Sequence, residues 1–200
     1  MKKIIIVQRY KKIGKYNEVR DSLSTDLSRF IIKLGCLPVP YPSEVLPENF
    51  VKFVKPKAII FSGGDDPKKK DLRRDIEIKF LKLSIKRNIT VIGICRGAQQ
   101  INLFCKGKIS KISSHVRKKH KIKTNFSKKL HKINCYHDYG ILRKNLGKNL
   151  NILATARDGS IECFKHNKRN WLGVMWHPER NANLSKIDKK IFNSFLQNKI

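Results

Sequence analysis

The stretch Thr90-Val91-Ile92-Gly93-Ile94-Cys95-Arg96-Gly97 constrains this chain more than any other. Residues 90–94 are a short apolar, partly β-branched run of the kind buried on both faces of a sheet, and helical spacing resumes at once over 96–104. A strand that turns into a helix within one residue belongs to an α/β domain, in which helices cover a largely parallel sheet. Comparable runs occur at 3–8 and 57–61, with a short proline-bearing edge or terminal strand at 37–41. A helix is predicted over 20–34, with Val19, Leu23, Leu27, Phe30, Ile31 and Leu34 on one face and Gly35 as its stop. Another is predicted over 72–87, turning Ile76, Ile78, Phe80, Leu83 and Ile85 inward, and a last one over 185–197 buries Ile187, Ile191, Phe192 and Phe195. Further strands are expected over 130–135, 150–156, 160–164 and 171–176, with Asp158-Gly159 as a hairpin turn and 115–123 as a basic, extended surface segment. No repeat or linker interrupts the 200 residues, so one domain spanning 1–200 is expected.

Several classes are excluded early. No run of 18 or more apolar residues exists, so no membrane partner is expected. The apolar N-terminus stops at Gln8-Arg9 and no small-residue cleavage site comes after it, which points to a first strand and a cytoplasmic protein. Five cysteines, at 36, 95, 105, 135 and 163, form no CxxC and no close pair, which argues against a disulfide framework or a zinc site. The net charge of +30 invites a nucleic-acid reading. Lysines spread over the whole chain, without arginine forks or stacking aromatics, argue against it and leave a field that favours an anionic small molecule such as a nucleotide.

Cys95 carries the first chemical signal. A nucleophile at a strand-to-helix turn sits in a strained conformation, so small residues are needed two positions away on either side, and Gly93 and Gly97 supply them. The helix N-terminus favours thiolate there, and the Arg96 N–H can face a developing oxyanion. The second signal is Trp176-His177-Pro178-Glu179. In an extended segment His177 and Glu179 project to the same side, and Pro178 disfavours helix at His177. The carboxylate can then hold the imidazole so that its other nitrogen takes the Cys95 proton, the logic of nucleophile, base and orienter. The third is Ser62-Gly63-Gly64-Asp65-Asp66 at a strand end, where Gly64 is a candidate second oxyanion donor.

In this order and spacing the motifs resemble the class I glutamine amidotransferase family, most closely its γ-glutamyl hydrolase branch, over nearly the whole chain. The resemblance implies a flavodoxin-like three-layer α/β sandwich, a catalytic triad of Cys95, His177 and Glu179, and oxyanion donors at Gly64 and Arg96. It also implies γ-glutamyl contacts from Gln99 and from the segment Asn134, Cys135, Tyr136 and His137, where Cys135 stands in place of the family's usual serine. A backbone contact survives that change and a hydroxyl contact does not. The implied partner is a small γ-glutamyl substrate, with Arg117, Lys118, Lys119, His120 and Lys121 placed to meet a diphosphate or simply to be solvated. No cofactor is needed for such chemistry. A metal at His115 and His120 is set aside because no carboxylate or thiol partner lies near them. Two other readings stay open, a glutaminase subunit that delivers ammonia to a partner synthetase and a non-catalytic basic binding protein. Whether the protein forms a homodimer is open too.

Overall fold

The apolar runs become strands of one large sheet in this computed structural model, which describes residues 1–15, 17–65, 67 and 72–197. Asp66 of the glycine-turn motif lies outside them. The elements run β1 (Lys2–Val7), β2 (Arg9–Ile13), β3 (Glu18–Ser22), α1 (Thr25–Lys33), β4 (Cys36–Tyr41), α2 (Pro47–Val54), β5 (Ala58–Phe61), α3 (Leu72–Arg87), β6 (Thr90–Ile94) and α4 (Arg96–Phe104). They continue with β7 (Ser110–Lys111), β8 (Val116–Thr124), β9 (Ser127–Tyr136), β10 (Tyr139–Gly140), β11 (Leu150–Ala156), β12 (Ile161–His166), β13 (Trp171–Val174) and α5 (Lys186–Leu196).

The main sheet has the order β4-β1-β5-β6-β13-β12-β11-β8-β9. From β4 to β13 neighbouring strands are parallel, and from β13 to β9 they are antiparallel. Alternation along β1 sorts the core into two layers. Ile4 and Ile6 pack with Leu27, Phe30 and Ile31 of α1 and Ile191 and Phe192 of α5. Ile5 and Val7 pack with Val51 of α2, Ile76 and Phe80 of α3, and Ala98 and Ile101 of α4. The result is a three-layer sandwich with helices on both faces. No helix among the described residues is long and apolar enough to cross a membrane.

Two expectations are corrected. The helix predicted from residue 20 begins at Thr25, because Val19 pairs with Lys12 across the β2–β3 hairpin and is exposed there. Ile85 also faces outward, and Leu81 takes an inward place on α3. The basic segment at 115–123 is extended and largely exposed as expected: it forms β8, paired with β9 with register shifts between Val116 and Lys118 and between Ile122 and Thr124. The helix α2, opened by Pro47 at its first position, was not anticipated.

Candidate active site

Parallel neighbours end at the same edge of a sheet, and that edge is where open α/β sheets bind ligands. Strands β5, β6 and β13 are neighbours, with Phe61 beside Gly93 and Ile94 beside Val174. The fold therefore brings together the residues just beyond the three strand ends: Gly63-Gly64, Cys95 and His177.

Cys95 has φ 51 and ψ −105, a conformation that costs a non-glycine residue roughly 1–3 kcal/mol. Its N–H donates to the Val174 carbonyl at 2.7 Å, and its carbonyl accepts from Gln99 N–H at 3.0 Å. A Cβ on Gly93 would lie 2.4 Å from the Gly97 backbone, and one on Gly97 would lie 2.3 Å from the Phe61 carbonyl oxygen. The two glycines let α4 start directly against β5 and β6, which forces the sharp turn at Cys95.

His177 is fixed by groups from several parts of the chain. Its Nδ1 is 2.6 Å from Glu179 Oε1. Its N–H donates to Asn134 Oδ1 and its carbonyl accepts from Asn134 Nδ2, both at 2.8 Å. A Cβ on Gly63 would sit 2.6 Å from His177 Cε1, so the ring's position requires glycine there. Burial alone lowers the imidazole pKa; the neighbouring Cys95 and Glu179 outweigh it and raise the pKa to about 9. The preceding Trp176 donates its indole N–H to Asp188 Oδ1 at 2.8 Å, and Asp188 N–H is capped by Ser185 Oγ at 3.1 Å, so α5 anchors this strand end.

The extended reading of His177-Pro178-Glu179 is corrected: Pro178–Arg180 form a 3-10 turn. Proline's fixed φ suits the first position of such a turn as well as an extended chain, and the turn still returns the carboxylate to the ring.

Around the two oxyanion candidates lies a buried ionic clamp that the sequence did not single out. Arg73 donates through Nη1 to the Gly63 carbonyl at 3.1 Å and through Nη2 to the Ser62 carbonyl, gripping the loop that carries Gly64. Arg73 Nε also reaches Glu77 Oε1 at 3.1 Å, and the other Glu77 oxygen accepts from Arg96 Nη1. Burial pulls the Arg73 guanidinium down to about 10, opposed by Glu77, so it stays charged at neutral pH. Arg73 and Glu77 are an i,i+4 pair flanked by Ile76 and Phe80, a signal visible in the sequence.

A pocket opens at this edge, lined by Gly64, Asp65, Cys95, Gln99, Tyr136, His137, Asp138 and Tyr139. Gln99 Nε2 donates to the Tyr139 carbonyl at 2.7 Å. The Tyr136 ring stands edge-on to His177, with centroids 5.6 Å apart, and carries the Arg180 guanidinium 4.1 Å above it. Asn134 and Cys135 do not take the expected ligand-facing places. The Asn134 amide is engaged with the His177 backbone and with Asn181 at 3.1 Å. Cys135, on the opposite face of β9, is fully buried near His115, His137 and Glu162. The expectation that His115 lacks carboxylate and thiol neighbours is corrected with it, because the fold supplies both from distant strands.

The sequence model of the family described as glutamine amidotransferase class-I matches residues 15–198, and the chain belongs to that family. Among its relatives, the γ-glutamyl-CDP-amidate hydrolase of Campylobacter jejuni is 33% identical over 191 residues, 91% of this chain and 92% of that one. The GMP synthase (glutamine-hydrolyzing) of Ruthia magnifica is 25% identical over 85% of this chain and 33% of its own length. A putative GMP synthase subunit from Thermoplasma acidophilum shares the fold, with a TM-score of 0.72 at 20% identity over 98% of this chain and 93% of that one. Amidotransferases and amide hydrolases surround this chain, and it is an enzyme of the glutamine amidotransferase-like hydrolase kind.

Proposed function

We propose that this protein hydrolyses a γ-glutamyl amide through a Cys95 thioester, with His177 as acid and base and Glu179 as its orienter. The observation that carries the reading is the His177 imidazole, held 2.6 Å from Glu179 Oε1 just beyond the end of β13, the strand beside the one that leads into Cys95. In the first half-reaction Cys95 passes its thiol proton to His177 as its sulfur attacks the γ-carbonyl carbon, and the oxyanion is met by the backbone N–H groups of Gly64 and Arg96. The C–N bond breaks as His177 gives its proton to the departing nitrogen. In the second, water attacks the thioester, passes a proton to His177, and glutamate leaves as the Cys95 thiol is restored. Gln99, Tyr136 and His137 form the wall against which the glutamyl group rests.

The leaving group we propose is a nucleoside diphosphoramidate: γ-glutamyl-CDP-amidate and water give L-glutamate and cytidine diphosphoramidate, a precursor for capsular phosphoramidate. Two observations support it. One is the likeness to the Campylobacter jejuni enzyme. The other is the exposed run Arg117, Lys118 and Lys119 on β8, which pairs with β9 next to the pocket residue Tyr136. A panel of γ-glutamyl-CDP-amidate, γ-glutamyl-γ-aminobutyrate and glutamine, read as glutamate release, tests the substrate. Fastest turnover of the first is expected, and preference for either of the others rejects the nucleotide. The likeness to GMP synthases favours a second reading, a glutaminase that supplies ammonia to a synthetase. Glutamine hydrolysis that rises sharply on adding a partner protein would favour that reading. Under either one, Cys95→Ala is expected to lower kcat by at least ~10³ in a steady-state assay.

A further inference from the structure

Beside the pocket, four side chains from separate parts of the chain converge. His115 immediately precedes β8, Cys135 lies in β9, His137 comes directly after it, and Glu162 lies in β12. All are buried, none more than 4% exposed, and each offers one ligand atom such that the four atoms lie within 4.8 Å of one another. His115 Nδ1 is 3.4 Å from Glu162 Oε1, and His137 Nε2 is 3.7 Å from Glu162 Oε2. Three of these buried atoms, His115 Nδ1, His137 Nε2 and Glu162 Oε2, make no hydrogen bond. Paired only with one another, these groups stay unsatisfied in the buried interior, where each costs about 1–3 kcal/mol.

The outward-facing atoms of the same residues are held. His115 Nε2 is 2.8 Å from Asp158 Oδ2, and His137 Nδ1 is 3.2 Å from the Tyr139 carbonyl. Glu162 Oε1 accepts from Ser160 Oγ at 3.3 Å. A carboxylate or backbone carbonyl behind each imidazole is the arrangement that fixes the tautomer and orientation of metal-binding histidines. Zn–N and Zn–O bonds of about 2.0–2.1 Å put two ligand atoms on one tetrahedral zinc roughly 3.3 Å apart, so the ligand atoms, which lie within 4.8 Å of one another, draw together slightly on binding. Two imidazoles, a thiolate and a carboxylate are a zinc donor set, and two anionic ligands balance the charge of Zn²⁺.

We infer that His115, Cys135, His137 and Glu162 bind one zinc ion in a closed, structural site. Coordination releases the Cys135 proton to solvent and leaves both imidazoles neutral. With four protein ligands no position remains for an activated water, so the ion's work is to tie β8, β9 and β12 together beneath the pocket wall at Tyr136 and His137.

Elemental analysis of the full-length protein, grown with added zinc and dialysed, should find about one zinc per chain. Cobalt-substituted protein should show thiolate-to-cobalt charge transfer and tetrahedral ligand-field absorption. Cys135→Ser should abolish the thiolate band, and Cys95→Ala should keep both the band and the zinc. Asp158→Asn, a change at a partly exposed group behind His115, should weaken zinc binding by about 10- to 100-fold. Absence of retained zinc, a cobalt spectrum without a thiolate band, or loss of zinc in Cys95→Ala overturns the site; the last would put the metal on the nucleophile. None of these readouts depends on turnover, so the site and the proposed reaction stand or fall separately.

Discussion

His177 illustrates how a single side chain draws on distant parts of the sequence: Cys95 and Glu179 on its ring, Asn134 on its backbone, and the missing side chain of Gly63 beneath Cε1. Against an unfolded value of about 6.5, its folded pKa is raised to about 9. The stability this pairing contributes is therefore fully present below pH 6.5 and is lost as pH rises through about 9. Protonation of the leaving nitrogen needs the imidazolium, so kcat/KM is expected to fall along an alkaline limb near pH 9. Glu179→Gln removes one of the two groups that raise the pKa and should move that limb to lower pH. A pH–rate profile whose limb stays in place in the variant rejects the role given to Glu179. The pairing of His177 with Glu179 was legible from two residues of sequence, although the 3-10 turn that makes it was not. The pattern around Asn134 suggests a substrate contact, because a residue pattern does not say whether an amide meets a ligand or the backbone of a residue 43 positions away.

At the level of elements, the strand-to-helix turn depends on α3 as much as on β6 and α4. The Arg73–Glu77–Arg96 clamp links the loop after β5 to the start of α4, the two places from which oxyanion donors are proposed. Removing one member of a buried ion network leaves uncompensated charge, so Glu77→Gln should destabilise the fold by about 3–5 kcal/mol. Urea unfolding measures this, and an unchanged midpoint refutes the clamp. The i,i+4 spacing of Arg73 and Glu77 could be read beforehand; their burial could not, since amphipathic patterning assigns charges to the outside. The same limitation explains the helix drawn too early at residue 20. Val19 satisfied helical spacing, but hairpin pairing of β2 with β3 took it instead.

For the molecule as a whole, the charge of +30 is the property most exposed to solution conditions. A positive surface raises the encounter rate of an anionic substrate and is screened by salt, with a Debye length of about 8 Å at physiological ionic strength. Accordingly, kcat/KM for γ-glutamyl-CDP-amidate should fall as sodium chloride rises, while that for glutamine, which has no net charge, stays nearly flat. Equal salt dependence of the two would remove the electrostatic support for a nucleotide. Most strands and the long helices were legible because burial of apolar side chains has a period, near 2 or 3.6, that survives in the linear order. Cys95 between Gly93 and Gly97 was legible because backbone clashes at Phe61 and Gly97 admit only glycine there. By itself, then, the sequence determined the α/β class, the sharp turn at Cys95 and the local pairing of His177 with Glu179. Only the tertiary structure decided that β5, β6 and β13 lie side by side, that Arg73 and Glu77 face inward, and that His115 meets Cys135, His137 and Glu162. Those meetings join residues far apart in the chain through sheet order, and no local period encodes that order.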